Sequence, residues 1–464
     1  MANSDNTYDI IIVGAGIAGC ALAHGLATIT SAARPRPLKI ALLERSLVEP
    51  DRIVGELLQP GGCAALRKLG MSDCLENIGA IPVRGYCVVN EGKQVHIPYP
   101  DGLEGRSFHH GRFIQSLRAK AAKATGVDVI EATVAELIIA DGTNRVHGVR
   151  ATRKGKEVKE NFYGALVLIS DGCFSNFRAE VMGEAFQKPL TRSHFVGAIL
   201  KDVQLPIDKH GTVALVKGSG PVLMYQIGDH DTRILIDVKT PLPSDLKEYI
   251  LDKVVPELPS NLQPAIKDAL ELERLRRMPN SFLPPVEQGE GGMTVAFNDV
   301  VILTDLLRSV QDLDDWECIS QILHAWHWSR KPLGSTINIL SIALYDLFGA
   351  EDEDLDVLRV GCFNWVCLFA LFAFYSVPTL TIVVIPTRIS PFRQHLIPPG
   401  PSLPAFLRGR LLLDLGHVHA PTPDHVRRET RTRTPAPRRV PLARRAQCAG
   451  VLDGLRCLWS PALE

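Results

Sequence analysis

The stretch Tyr8-Asp9-Ile10-Ile11-Ile12-Val13-Gly14-Ala15-Gly16-Ile17-Ala18-Gly19 constrains this chain more than any other. Its apolar run reads as a buried parallel strand. The glycines that follow have separate jobs in a strand–turn–helix. Gly14 permits the tight turn, Gly16 lets backbone approach a pyrophosphate, and Gly19 lets the helix pack close to the strand. The helix start offers unpaired N–H groups and a positive dipole end to phosphate. A second apolar run, Lys39-Ile40-Ala41-Leu42-Leu43, ends in Glu44, a carboxylate placed to bind ribose hydroxyls. The Arg/Pro-rich turn at 34–37 accounts for the slightly long spacing between the two. The expectation is a doubly wound, Rossmann-like α/β unit that binds a dinucleotide.

The chain has 464 residues, enough for two or three domains. Its 51 Lys and Arg balance 51 Asp and Glu, which removes any whole-chain electrostatic case for nucleic acid. The ten cysteines are scattered, without a CxxC pair or metal-ligand spacing. They read as reduced thiols of a cytosol-facing protein, and no metal site is expected. The apolar run at 10–23 is broken by the nucleotide glycines, so it is not read as a secretory signal.

Further along, residues 80–110 carry short β-like runs such as Tyr86-Cys87-Val88-Val89. A helix is predicted from Arg112 to Ala124, with Phe113, Leu117 and Ala121 on one face. Val127–Ile130 and Val134–Ile139 read as two strands. Ala165-Leu166-Val167-Leu168-Ile169 reads as another, ending in the acidic turn Ser170-Asp171-Gly172. Residues 190–240 alternate as an antiparallel sheet does, and 243–277 and 293–348 read as helical. The stretch 361–385 is apolar and free of formal charge, long enough for a membrane span. Pro378 and Asn364 are equally compatible with a kinked or monotopic anchor, and a buried core helix is the alternative. Beyond Pro386 the chain is rich in Arg and Pro and has no lysine; this tail, 386–464, is expected to be largely disordered.

Three segments narrow the dinucleotide to a flavin: Asp51-Arg52-Ile53-Val54-Gly55-Glu56-Leu57-Leu58-Gln59-Pro60-Gly61-Gly62, Phe108-His109-His110-Gly111-Arg112-Phe113, and Ser170-Asp171-Gly172-Cys173-Phe174-Ser175-Asn176-Phe177-Arg178. Together with Pro279–Pro285 and Gly291–Asp299, they resemble the squalene monooxygenase (squalene epoxidase) family, fungal type, over residues 8–360. The resemblance implies an FAD domain in two parts (1–80 and 111–185), substrate-domain strands at 81–110 and 186–285, and a closing helical region at 286–350. It implies FAD as cofactor, NADPH as reductant, and a polyprenoid such as squalene as substrate. An NADPH-cytochrome reductase would be the electron partner, and the endoplasmic reticulum membrane the location. Reduced flavin would activate dioxygen and deliver one oxygen atom to an alkene.

By the same resemblance Gly14, Gly16, Ile17, Ala18 and Gly19 would surround the pyrophosphate, and Glu44 would hold the adenosine ribose. Arg52, Leu57 and Arg112 would lie along the cofactor, Val134 by the adenine, and Met293 by the flavin at a helix N-terminus. Asp171 would take part in cofactor and NADPH handling. Tyr86 would be the tyrosine near the flavin, and Val216 and Tyr225 would line the substrate pocket. His109 and His110 read as a structural turn before Arg112.

Two departures stand out. The family carries a strand, a Gly-Asp motif and a His-Pro-Leu-Thr loop between its Leu-Pro-Pro and Gly-Gly-Met segments. Here Pro284–Glu290 runs straight into Gly291, so about twenty residues are absent by this analogy. The Arg/Pro tail also replaces the family's terminus. Alternative readings are an inactive or mis-spliced homologue, and a flavin monooxygenase of a secondary-metabolite pathway.

Overall fold

The structure, a computed structural model, describes residues 6–140, 142, 145–183, 186–272, 275–282, 292–349, 357–361 and 363, with the backbone of 413–414. The chain opens with β1 (Thr7–Val13), α1 (Ile17–Gly25) and β2 (Ile40–Glu44). Next come β3 (Leu57–Leu58), α2 (Pro60–Lys68), β4 (Ile81–Val83), β5 (Gly85–Asn90), β6 (Lys93–Pro98), β7 (Gly105–Ser107) and α3 (His110–Ala122). The middle supplies β8 (Val127–Ile139), β9 (Val146–Arg153), β10 (Lys159–Ile169) and α4 (Arg178–Met182). It continues through β11 (Leu190–Lys201), β12 (Gly211–Leu215), β13 (Val222–Gln226) and β14 (Asp231–Lys239). Then follow α5 (Leu246–Tyr249), α6 (Gln263–Leu272), β15 (Arg276–Phe282), α7 (Gly292–Leu306), α8 (Trp316–Gly349) and the two-residue β16 (Leu413–Asp414).

The first sheet explains why β1 is apolar throughout. β10, β1, β2 and β8 lie side by side in parallel, with Ile10 opposite both Ile40 and Leu166. A central parallel strand is covered on both faces, so both sets of alternate side chains must be apolar. Ile10 and Ile12 enter a core with α1, α3 and α7, where Leu22, Phe113, Phe297 and Trp326 are fully buried. Ile11 and Val13 face the other way, into a core with Ala132, Val149 and Phe162. Each fully buried Ile or Leu is worth roughly 1.5–3 kcal/mol against exposure. β9 is antiparallel to β8 and β10, and β16 extends the parallel edge at Leu168–Ile169.

The second sheet runs β15-β11-β14-β13-β12-β5-β6. It is antiparallel except where β12 pairs in parallel with β5. One face carries Val196, Ala198, Met224, Ile234 and Ile236 and packs on α6 and the 250–258 turns. The opposite face presents Phe195, Leu223, Tyr225 and Leu235 to Ile53, Val54 and Leu57 of the first unit. It also presents Val88, Leu215 and Val213 to Phe348 of α8 and to Phe363. β3, β7 and β4 form a small third sheet between the two.

Several boundaries differ from the sequence expectation. The two strands expected at 127–130 and 134–139 are one strand, β8, whose ladder shifts register between Val134 and Glu136. A bulge bends a strand without ending it, and it interrupts the simple periodic pattern. The helical reading of 243–277 holds over 246–257, where α5 continues through a π turn and a 3-10 turn, and over α6; from Arg276 the chain instead pairs with β11 as β15. The region 81–110 is divided: β5 and β6 join the second sheet, while β4 and β7 join the third. Among the described residues no helix is long and apolar enough to cross a membrane. The 361–385 stretch, apart from Gly361 and Phe363, lies outside the described residues, as do the 283–291 junction and, but for β16, the 386–464 tail.

Candidate active site

The turn between β1 and α1 is built by close backbone contacts. Gly14 has φ of +103°, and a Cβ there would lie 2.5 Å from the Ser170 carbonyl oxygen. A Cβ at Gly19 would lie 1.8 Å from the Gly14 oxygen. Both positions therefore require glycine for space, and Gly14 for its conformation as well. Gly16 is different: among the described residues a Cβ there meets nothing within 4 Å. Residues 16–18 are half-buried while the residues on either side of them are buried. Among the described residues no side chain caps the α1 N-terminus. The open flank at Gly16, Ile17 and Ala18 thus presents helix-start N–H groups where a pyrophosphate fits.

Glu44 stands beside this turn at the end of β2. Its carboxylate accepts the Ala15 N–H at 2.8 Å and the Ser46 N–H at 3.2 Å. Its side chain remains 19% exposed, and each oxygen keeps a second lone pair for a ribose hydroxyl. Arg118 was missed in the sequence. It is buried, donates from Nε to the Ala15 oxygen at 3.0 Å, and lies 3.6 Å from Glu44. An arginine in the middle of an amphipathic helix carries no local signal of this role. Asp171 follows Ser170 in the opposing turn; its Cα would lie 2.8 Å from a Gly14 Cβ. Val134 is half-buried on β8, opposite Ala151, three residues beyond the Glu131 that pairs with Glu44.

A second group of predicted residues converges from other elements. Gln59 Nε2 donates to the Tyr86 hydroxyl at 3.3 Å, and the Tyr86 ring meets Tyr99 edge-on at 5.8 Å. Gly211 leaves room for that ring; a Cβ there would lie 3.0 Å from Tyr86 and 3.8 Å from Leu57. Leu57 packs in the same small apolar cluster as Tyr225. The start of α7 reaches this area through Thr294, which touches Gly61 and Gly62 of α2 just after Gln59, and places half-buried Met293 next to it. Tyr86, Leu57, Tyr225 and the α7 start are thus joined through the segment 56–62.

Other predicted residues stand apart. Arg52 and Arg112 are exposed. Val216, expected in one wall with Tyr225, is fully buried on the sheet's other face among residues such as Val222 and Met224. The two are not brought together, because alternate positions of a sheet point to opposite faces. His109 and His110 act as links. His109 Nε2 lies 2.9 Å from Asp231 of β14, and His110 Nδ1 lies 2.9 Å from the Gly55 oxygen.

The apolar cluster conceals buried charge. Arg233 of β14 donates from Nε and Nη2 to the two Glu56 oxygens at 2.7 and 2.9 Å, with 6% and 1% side-chain exposure. Burial, then the nearby Glu56 charge, raises the Tyr225 phenol well above the usual range. Asp237, two strand positions further on the same face, accepts from Ser193 Oγ at 2.5 Å, and Tyr345 of α8 donates to that Ser193 at 3.0 Å. Burial raises the Asp237 carboxyl.

The squalene epoxidase family profile matches residues 163–291 and 288–381, two segments that meet where the sequence departs from the family pattern. The squalene epoxidase erg1 of Aspergillus fumigatus is 43% identical over 396 residues, covering 78% of this chain and 79% of that protein. Squalene epoxidase 1 of Arabidopsis thaliana is 38% identical over 393 residues, covering 78% and 71%. A solved structure described as a probable FAD-dependent monooxygenase from Pseudomonas aeruginosa superposes with a TM-score of 0.62 at 17% identity, over 77% of this chain and all of that one. The last likeness shows a shared fold; the sequence relatives go further, and by them this chain belongs to the squalene epoxidase family.

Proposed function

We propose that this chain is an FAD-dependent monooxygenase that epoxidises squalene to 2,3-epoxysqualene. The reaction consumes NADPH, a proton and dioxygen; one oxygen atom enters the alkene and the other leaves as water. The observation that carries the cofactor reading is the open flank at Gly16–Ala18, flanked by the closed contacts at Gly14 and Gly19 and by the Glu44 carboxylate. Bound there, FAD supplies the activation of dioxygen with electrons from NADPH. The protein does the rest. The α1 N-terminus would hold the pyrophosphate and Glu44 the ribose. Gln59 fixes the Tyr86 hydroxyl. The side chains of Leu57, Leu223, Phe195 and Met278, packed with Tyr225, offer a hydrocarbon an apolar wall and keep water from the reacting alkene.

A hydrocarbon substrate and the apolar 361–385 stretch support residence at the endoplasmic reticulum membrane, facing the cytosol. An NADPH-cytochrome reductase is the electron donor this reading calls for. The primary test is expression of the full chain, followed by bound FAD per chain and NADPH-dependent formation of squalene epoxide in membranes supplied with reductase. About one FAD per chain with epoxide formation is expected. A colourless protein would overturn the assignment and support an inactive homologue, the reading favoured by the break in the family match at 288–291.

A further inference from the structure

Two histidines outside the candidate site meet behind Tyr86. In the second sheet β5 lies between β12 and β6, with Tyr86 opposite Gly211 on one side and Ile97 on the other. Strands two apart in a sheet stand about 9.5 Å from each other. His96 of β6 and His210, just ahead of β12, span that gap. Their Nε2 atoms lie 2.9 Å apart, and the rings meet edge-on with centroids 4.7 Å apart. The bridge crosses β5 at Gly85, where a Cβ would lie 3.0 Å from His210 Cδ2. His96 pairs with Cys87, so alternation puts Gly85, Cys87 and His96 on one face of the sheet and Tyr86 on the other. The pair thus backs the strand that carries Tyr86. The residue after His210, Gly211, is the one whose missing Cβ makes room for the Tyr86 ring.

The hydrogen bonds fix where the protons sit. His210 Nδ1 lies 2.7 Å from the Asp208 carbonyl oxygen. A carbonyl only accepts, so that nitrogen carries a proton. Neutral His210 therefore offers a bare Nε2, and His96 donates to it from its own Nε2–H. One added proton can go to His96 Nδ1 with the bond kept. The next must go to His210 Nε2, and two cations then face each other with two donors and no acceptor between them. The neighbouring groups are few. Cys87, opposite His96, has a thiol that burial raises to about 11, so it stays neutral. Arg84, next to Gly85, is engaged by Glu104 at 3.0 Å. Asp208 and Lys209, beside His210 in the chain, bring one charge of each sign. The formal charge on β6 itself is Lys93, which alternation turns to the other face from His96. Burial, then the His210 ring, hold His96 below the ordinary histidine value, the direction taken by a pair that resists its last proton.

We propose that His96 and His210 form a proton-sensitive clasp across β5, closed while the pair holds at most one added proton and opened by the next. Opening frees β6, at the end of the sheet order, and shifts the bed of the Tyr86 ring at Gly211. The pair does not touch reacting atoms; any effect on turnover passes through Tyr86, and that arm alone rests on the epoxidase reading above.

Native-state hydrogen exchange of the full chain, read as protection factors at pH 7 and pH 5, tests the clasp. In the unmodified protein, protection over 85–98 is expected to fall about tenfold or more on acidification, while β11 and β14 of the same sheet keep theirs. His96→Gln offers a donor to neutral His210 and, with its amide turned over, an acceptor to protonated His210. Its protection over 85–98 is expected to match wild type at pH 7 and to hold at pH 5. His96→Leu has no clasp and is expected to start low at pH 7 and change little. Unchanged protection over 85–98 in the unmodified protein overturns the proposal. So does a fall shared equally by β11 and β14, or one as large in His96→Gln. The unmodified protein and His96→Gln decide the matter even if His96→Leu fails to fold. Epoxide formed per bound flavin is expected to drop between pH 7 and pH 5, and to drop several-fold less in His96→Gln; an equal drop in both overturns the link to Tyr86. Absence of turnover at either pH sinks the epoxidase reading instead and leaves the exchange result to decide the clasp.

Discussion

Replacing Arg330 with methionine should unfasten α7 from α8, with a pH signature. Arg330 Nη2 and Nε lie 2.7 and 2.9 Å from one oxygen of Asp299, and both side chains are buried. The guanidinium stacks 5.0 Å from the Trp326 ring, whose Nε1–H donates to the Asp299 carbonyl at 2.9 Å. Even beside this cation, burial pushes the Asp299 carboxyl up from 3.8 to about 6. At about 1.4 kcal/mol per tenfold change, the charged form in place already costs on the order of 3 kcal/mol. Removing the cation leaves that charge uncompensated, a loss of about 3–5 kcal/mol or on the order of 10 °C in melting temperature.

The sign of the pH dependence follows from the raised value. The folded protein keeps a proton that the unfolded chain has released between 3.8 and the folded value, so acidification through that window favours the fold. Without Arg330 the folded value rises further. The deficit of Arg330→Met relative to wild type should therefore shrink between about pH 8 and about pH 5.5. The double variant Arg330→Met/Asp299→Leu, which buries no charge, should recover most of the loss. Thermal unfolding followed by scanning fluorimetry at the two pH values reads both effects. A pH-independent deficit, or a double variant as unstable as the single, refutes the reasoning.

Gly16→Ala should keep its melting temperature yet purify without flavin, whereas Gly19→Ala should lose about 1–3 kcal/mol of stability because its new Cβ meets the Gly14 oxygen; equal stability in the two variants counts against the open-flank argument. Tyr86→Phe severs the Gln59 contact and should slow epoxide formation about tenfold at unchanged melting temperature, measured by product per bound flavin. Burial pushes the Cys74 thiol up to about 11 and Cys20 to about 12, so both should react slowly with Ellman's reagent at neutral pH and quickly after unfolding; fast labelling of these two in the native protein would contradict their burial.

What the amino-acid sequence settled by itself was local and periodic. The run Ile10–Val13 followed by Gly14, Gly16 and Gly19 admits few structures other than strand, tight turn and helix, because Gly14 and Gly19 answer backbone contacts within or next to the motif and Gly16 leaves its flank open. The alternation along β11–β14 likewise announced a sheet. β14 shows where such reading ends. Thr232, Ile234, Ile236 and Val238 alternate with Asp231, Arg233, Leu235 and Asp237, a pattern that by itself assigns the charged set to solvent. In the folded protein Arg233 and Asp237 are buried, since Glu56 from the first unit and Ser193 backed by Tyr345 of α8 close over that face. Period-two alternation separates the two faces of a strand but carries no information about what will cover each one. Val216 and Tyr225 fell on opposite faces for the same reason. The glycine turn was therefore legible from residues close in the chain, while the face of the second sheet that carries Tyr225 and Arg233 was decided by tertiary packing, as in the Glu56–Arg233 contact between residues 177 positions apart.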